Sequence, residues 1–251
     1  YKLIDDYHGE FYLNHCGALI DVEPLGELAV KEMCHDIEDP TFEATAIATN
    51  PRARFAPIHR PPRVPSDRHP HCAWTVAIEP HHEALPLPEQ AIVIGKTAAA
   101  NAVLSHIDAS EDGIGDYTGP LSEDLRFPDW SRSALARIAE EVALQYHLLS
   151  LSFDLSLRGM CDPDTATDLL RKQFTGVAGV TSTRLRAALG VNGDADGLAQ
   201  VLRLHPAFNP VQYTYISVDI DGEGASPVVQ LRIPADSPAV HDGGWLATVD
   251  S

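Results

Sequence analysis

Between residues 135 and 153 a large apolar side chain returns every third or fourth position: Leu135, Ile138, Val142, Tyr146, Leu149 and Phe153. That is the period of an α-helix with one buried face, and a pattern held this long excludes strands from the stretch. It predicts a helix ending near Gly159. A second helix is expected over residues 164–189 with Gly190 as its stop, and a short third over 197–204. Further on, residues 211–220 and 228–233 flank Asp221-Gly222-Glu223-Gly224, turn residues that predict a β-hairpin.

The first third reads differently. Residues 9–20 suggest a strand, because Phe11, Tyr12 and Leu13 are strand formers and Gly17 suits a bulge; it would carry His15 and Cys16. After Glu23-Pro24, the spacing of Leu25, Leu28, Ala29 and Met33 predicts a helix over residues 25–36, with Cys34 on its inward side. Glu38 and Asp39 then read first as a solvated acidic turn before Pro40, with metal ligation or acceptance from a ligand histidine as their alternatives, which stand for Asp36 as well. Six prolines between residues 50 and 70 predict an extended, loop-like crossing that holds His59. The alternation over residues 72–78 predicts a strand with Cys72, Trp74, Val76 and Ile78 on one inward face. A proline-spaced linker over 79–90, a strand then a helix over 91–107 and an acidic loop over 108–128 complete the reading.

The expected class is α+β: an antiparallel sheet with covering helices in the N-terminal part, and a helix-rich C-terminal part ending in a β-hairpin. We divide it into a His/Cys-rich unit over 1–84, a proline and acidic connecting region over 85–128 and a helical unit over 129–251, whose helices are the expected homodimer face. The chain opens at Tyr1 in strand-like sequence without Met or a helix cap, which reads as a unit incomplete at its N-terminus.

A formal net charge of −18 repels phosphate backbones and anionic lipid, so nucleic acid is not an expected partner. No apolar run approaches the roughly 20 residues that span a bilayer, and the opening residues do not resemble a signal peptide. A cytoplasmic protein acting on a small molecule is expected. Several motifs fail on inspection. Gly95-Lys96-Thr97 lacks the earlier glycine of a phosphate-binding loop, since Gln90 stands there. Asn192, Asp194 and Asp196 begin like a calcium loop, but Arg203 occupies the position of its last carboxylate, and a capped turn explains the run better. His82-Glu83 has Pro86 where a zinc-protease helix needs its second histidine. No Gly-x-Ser-x-Gly elbow is present.

Eight of the twelve histidines and three of the four cysteines fall within the first 82 residues. Imidazole nitrogen and thiolate sulfur are strong donors to zinc and similar ions, and a tetrahedral site needs four that converge. His15-Cys16, Cys34-His35, His59 and His71-Cys72 are separate places that can face one core. Inert buried thiols and solvated loop histidines give the same counts, and His81 and His82 read as linker. His147 reads as a satisfied core residue, and Gly176 and Gly179 as aids to close helix packing.

Cys34-His35, Pro61-Pro62 and Cys72-Ala73-Trp74 resemble a group of bacterial proteins related to L-2-amino-thiazoline-4-carboxylic acid hydrolase, with a likeness to the 4-vinyl reductase type of small-molecule domain, over about residues 9–78. In that group a cysteine follows the first helix, another precedes a Pro-Pro pair and a last one sits two before an aromatic. Cys34, Cys72 and Trp74 fit, whereas His59 stands before the prolines. The resemblance implies helices over an antiparallel sheet and hydrolysis of a small cyclic C–N or C–S compound. The expectation is a hydrolase using one transition metal ion, zinc first and iron second, held by Cys34, His59 and Cys72. His15, Cys16, His35 and His71 are the substitute or supporting ligands, and Asp36 or Glu10 the general base. One alternative is a small-molecule sensor with a structural zinc; another is a non-haem iron oxygenase using His8, Glu10 and His71.

Overall fold

Pro57 and Trp74 face each other across an antiparallel strand pair in the computed structural model, which describes residues 1–117, 126–222 and 227–249. The chain divides into two units, Tyr1–Ala91 and Ile92–Ser251. In the first, β1 (Lys2–Leu3) and β2 (His8–Leu13) lead to α1 (Gly17–Val22) and α2 (Glu27–Lys31). A π-helical turn (Glu32–Ile37) joins α2 to α3 (Glu38–Thr49). β3 (Ala53–His59) and β4 (Cys72–Ile78) complete an antiparallel sheet ordered β1-β2-β4-β3.

The register pairs Phe11 with Trp74 and Leu13 with Cys72, so these four side chains share a face with Val76 and Ile78, as the alternation predicts. From α3, Phe42 brings its ring to 4.6 Å from that of Trp74, and the ring of Phe11 lies nearly parallel to the indole at 6.3 Å. His8, Glu10 and Tyr12 occupy the opposite face with Thr75 and Ala77.

The strand expected over 9–20 ends at Leu13, and Cys16 caps α1 instead. Leu19, fully buried against Val30 and Cys34, makes a helix the better way to cover that cluster. The helix expected to stop at Asp36 continues through Pro40 to Thr49. Pro40 has no N–H and its ring crowds the carbonyl four residues back, and the wider π turn, in which the Glu38 N–H reaches Met33 O, relieves that conflict. The proline-rich crossing is a strand as far as His59, because β3 is an edge strand where Pro57 costs no ladder bond. The loop that follows contains cis peptide bonds at Pro61-Pro62, Val64-Pro65 and His69-Pro70.

α4 (Glu89–Ile94) lies at the division. The strand and helix expected over 91–107 are replaced by that short helix and a 3-10 turn at Ala99–Asn101, fixed by the Asp242 carboxylate, which accepts from Ala98 N and Ala99 N at 2.9 and 2.8 Å. The second unit holds α5 (Arg132–Met160), α6 (Pro163–Leu189) and α7 (Ala195–Leu204), close to their predicted bounds. Ser131, Asp162 and Asp194 cap their starts, and Gly190 closes α6 at φ 63°. The Asp194 carboxylate accepts from Gly197 N at 2.8 Å, so this run is a capped helix start as expected. α8 (Val211–Thr214) replaces the first part of the strand expected over 211–220, and its Tyr213 is buried in the core. β5 (Ser217–Asp221) pairs with β6 (Val228–Arg232), and α9 (Pro238–Asp242) follows. Glu223 and Gly224 of the predicted turn, and residues 118–125 of the acidic loop, lie outside the described residues. The core gathers Leu151, Ile216, Trp245 and Leu246, with Phe174 stacked on Trp245 at 4.2 Å. Among the described residues no helix is long and apolar enough to cross a membrane.

Candidate functional site

Three elements of the first unit each contribute one cysteine to the same cavity: Cys16 from the start of α1, Cys34 from the π turn and Cys72 from the first position of β4. Leu19 and Val30 bury Cys34 from the helical side, and the pairing of Leu13 with Cys72 fixes the other wall. Glu38, His71 and Trp74 line the cavity with them. Its volume of about 30 Å³ suits an ion with one or two waters, since a water needs some 10–15 Å³.

The electrostatics oppose free thiolates. Burial pushes the Cys34 thiol up to about 11, and the neighbouring Cys16, Cys72 and Glu38 add to the effect. Burial also raises Cys72, while the indole N–H of Trp74 acts against that rise. Trp74 Nε1 is itself buried with no partner at bonding distance. Glu38 is raised by burial, which moves its carboxyl toward the range of a working base.

His71 is buried, and its Nδ1 accepts from the Cys16 N–H at 3.2 Å. A neutral ring with Nδ1 accepting carries its proton on Nε2, so His71 enters the site as a donor. Burial lowers its pKa, and Arg63 and His69 add to that. His35 and His59 do not line the cavity. Their Nε2–H groups donate to Pro61 O at 2.7 Å and Pro70 O at 2.8 Å, fastening the two ends of the proline loop. His15 is exposed, with its ring 5.9 Å from that of His71.

Of the two carboxylates expected as bases, Asp36 is exposed and Glu10 lies on the face of the sheet away from Cys72. His8 shares that face and is held between Asp5 at 2.8 Å and Glu79 at 2.7 Å, so His8 and Glu10 are not gathered with His71. Asp39 forms an ion pair with Arg60, and Arg63 grips Glu23 with contacts of 2.7 and 3.0 Å, anchoring the proline loop to the helices. Among the described residues no group of three or more His, Cys, Asp or Glu side chains is arranged to hold a metal ion as they stand.

Sequence reasoning places Glu38 first in a solvated acidic turn and gives no role to the polar end of Trp74. Glu38 follows Cys34 by four residues, a spacing that would have put both on one face had the helix been carried through Pro40. Comparison with protein-family models, with curated proteins and with solved structures finds no match for this chain.

Proposed function

We propose that the first unit binds one transition metal ion, zinc before iron, on Cys16, Cys34 and Cys72, and that the chain is a hydrolase of a small cyclic C–N or C–S compound. The observation that carries this reading is the convergence of three cysteines from three separate elements on one cavity of about 30 Å³. Three soft sulfur donors suit zinc, and an ion would offset the burial, and the lesser repulsion from neighbouring groups, that disfavours a thiolate at Cys34 and Cys72. These side chains do not form a metal-holding group as they stand, so binding would have to draw the three sulfurs together. A zinc ion held there would supply Lewis acidity and a water of lowered pKa. Glu38 would take the proton from the attacking water and return it to the nitrogen or sulfur freed as the ring C–N or C–S bond breaks, while His71 would hold its Nε2–H toward the substrate.

A second reading, a structural zinc in a small-molecule sensor domain, is favoured by the small volume of the same cavity, about 30 Å³, which an ion with one or two waters would fill, so that an organic substrate would have to approach from its mouth. Plasma mass spectrometry on protein purified without a metal-affinity tag tests both. About one zinc per chain is expected, lost in Cys16→Ser, Cys34→Ser and Cys72→Ser and kept in His59→Ala. A folded wild type free of metal after growth and purification with zinc would overturn both readings. X-ray absorption and ring opening of small thiazolines, followed by proton NMR, separate them: three protein ligands with turnover for the hydrolase, four without turnover for the scaffold.

A further inference from the structure

Trp74 is only 3% exposed, and its Nε1–H is buried without an acceptor at bonding distance. A donor left so is unfavourable, and its persistence calls for an explanation. Trp74 sits two residues after Cys72 in β4, so both side chains leave the same face of the sheet, and both line the cavity shared with Cys16 and Cys34. The ring has little freedom to turn away: Phe11 stacks on it and Phe42 packs at 4.6 Å. A neutral thiol accepts hydrogen bonds weakly, whereas a thiolate accepts them well.

We infer that Trp74 is a positioning residue of the metal centre, its indole N–H donating to the Cys72 sulfur once that sulfur is a thiolate ligand. This rests on the thiolate reading above and adds the residue that orients one of its ligands. Outer hydrogen bonds of this kind hold a ligand in direction and temper its charge, and their loss typically weakens metal binding about 10–100-fold. Trp74 thereby has two roles, an apolar wall toward Phe42 and a polar contact toward the ion's ligand.

The test is a zinc titration of the full chain after chelator treatment, followed through the indole N–H signals in proton–nitrogen correlation spectra. The Trp74 signal is expected to move to lower field and to saturate at one zinc per chain, while those of Trp130 and Trp245 in the other unit stay in place. Trp245 is a stringent control, because its Nε1 is also buried without a partner. In competition with a chromophoric chelator, Trp74→Phe should bind zinc about tenfold more weakly or worse. A zinc-bound wild type with an unmoved Trp74 signal, or a Trp74→Phe variant binding as tightly as wild type, would overturn the positioning role and leave the metal centre standing. A wild type that takes up no zinc overturns both. Should Trp74→Phe fail to fold, Trp130→Phe and Trp245→Phe assign the signal by elimination and the wild-type titration decides.

Discussion

The backbone N–H of Cys16 donates to Nδ1 of His71 across 3.2 Å, joining the start of α1 to the residue before β4. The bond both orients the imidazole and satisfies a donor at a helix start. His71→Ala leaves that donor without its partner and should cost about 1–3 kcal/mol. Asn carries an oxygen near the place of Nδ1, so His71→Asn should recover part of the loss. Urea unfolding of the two variants beside wild type checks this, and equal stability of Ala and Asn would remove the bond from the account.

Leu19 is the fully buried centre of the cluster that carries Cys16 and Cys34. Truncating such a side chain removes its burial and leaves a void, so Leu19→Ala should destabilise the first unit by about 2–5 kcal/mol. Its neighbour Ile20 is 39% exposed, and Ile20→Ala should stay within about 1 kcal/mol of wild type. Thermal unfolding of both variants makes the comparison.

These residues also mark how far the sequence could be read. α5, α6 and α7 were legible because their signals are local: apolar steps of three and four, a capping Asp194 and a closing Gly190. The segment over 9–20 was not, because Phe11 and Tyr12 favour a strand while the helical choice at Leu19 depends on Val30 and Cys34, distant in sequence. The three cavity cysteines lay among the expected ligands, yet His59 could not be separated from them without knowing that its Nε2–H is committed to Pro70 O. Glu38 was hidden because Pro40 reads as a helix stop, and only the π turn before it lets the helix continue.

The second unit carries its own pH signature. His147 is buried, its Nε2–H donates to Asn209 O at 2.9 Å, and burial lowers its pKa to about 4. The nearby Asp242 carboxylate pulls the other way without cancelling this, Tyr146 and Tyr213 pack on the ring, and burial lowers His205 as well. The unfolded chain therefore takes up the His147 proton from about pH 6.5 downward while the folded chain resists it until about pH 4. Stability is complete above the upper value and falls as the pH drops through that window, by about 3 kcal/mol for this residue. Urea unfolding between pH 7.5 and 4.5 should show the decline, and His147→Gln should flatten it.

Glu38, Asp36 and Glu10 offer a direct contrast among carboxylates. Glu38 lines the cavity with the three cysteines, Asp36 is exposed two residues before it, and Glu10 projects from the other face of the sheet. A general base must reach the water it deprotonates, and removing one typically costs about 100–10,000-fold in rate. Glu38→Gln should therefore abolish most thiazoline ring opening while leaving the zinc content at the wild-type level, since the sulfur donors are untouched. Asp36→Asn and Glu10→Gln should retain near wild-type rates. Loss of zinc in Glu38→Gln would instead make the carboxylate a ligand. A fully active Glu38→Gln would remove it from proton transfer.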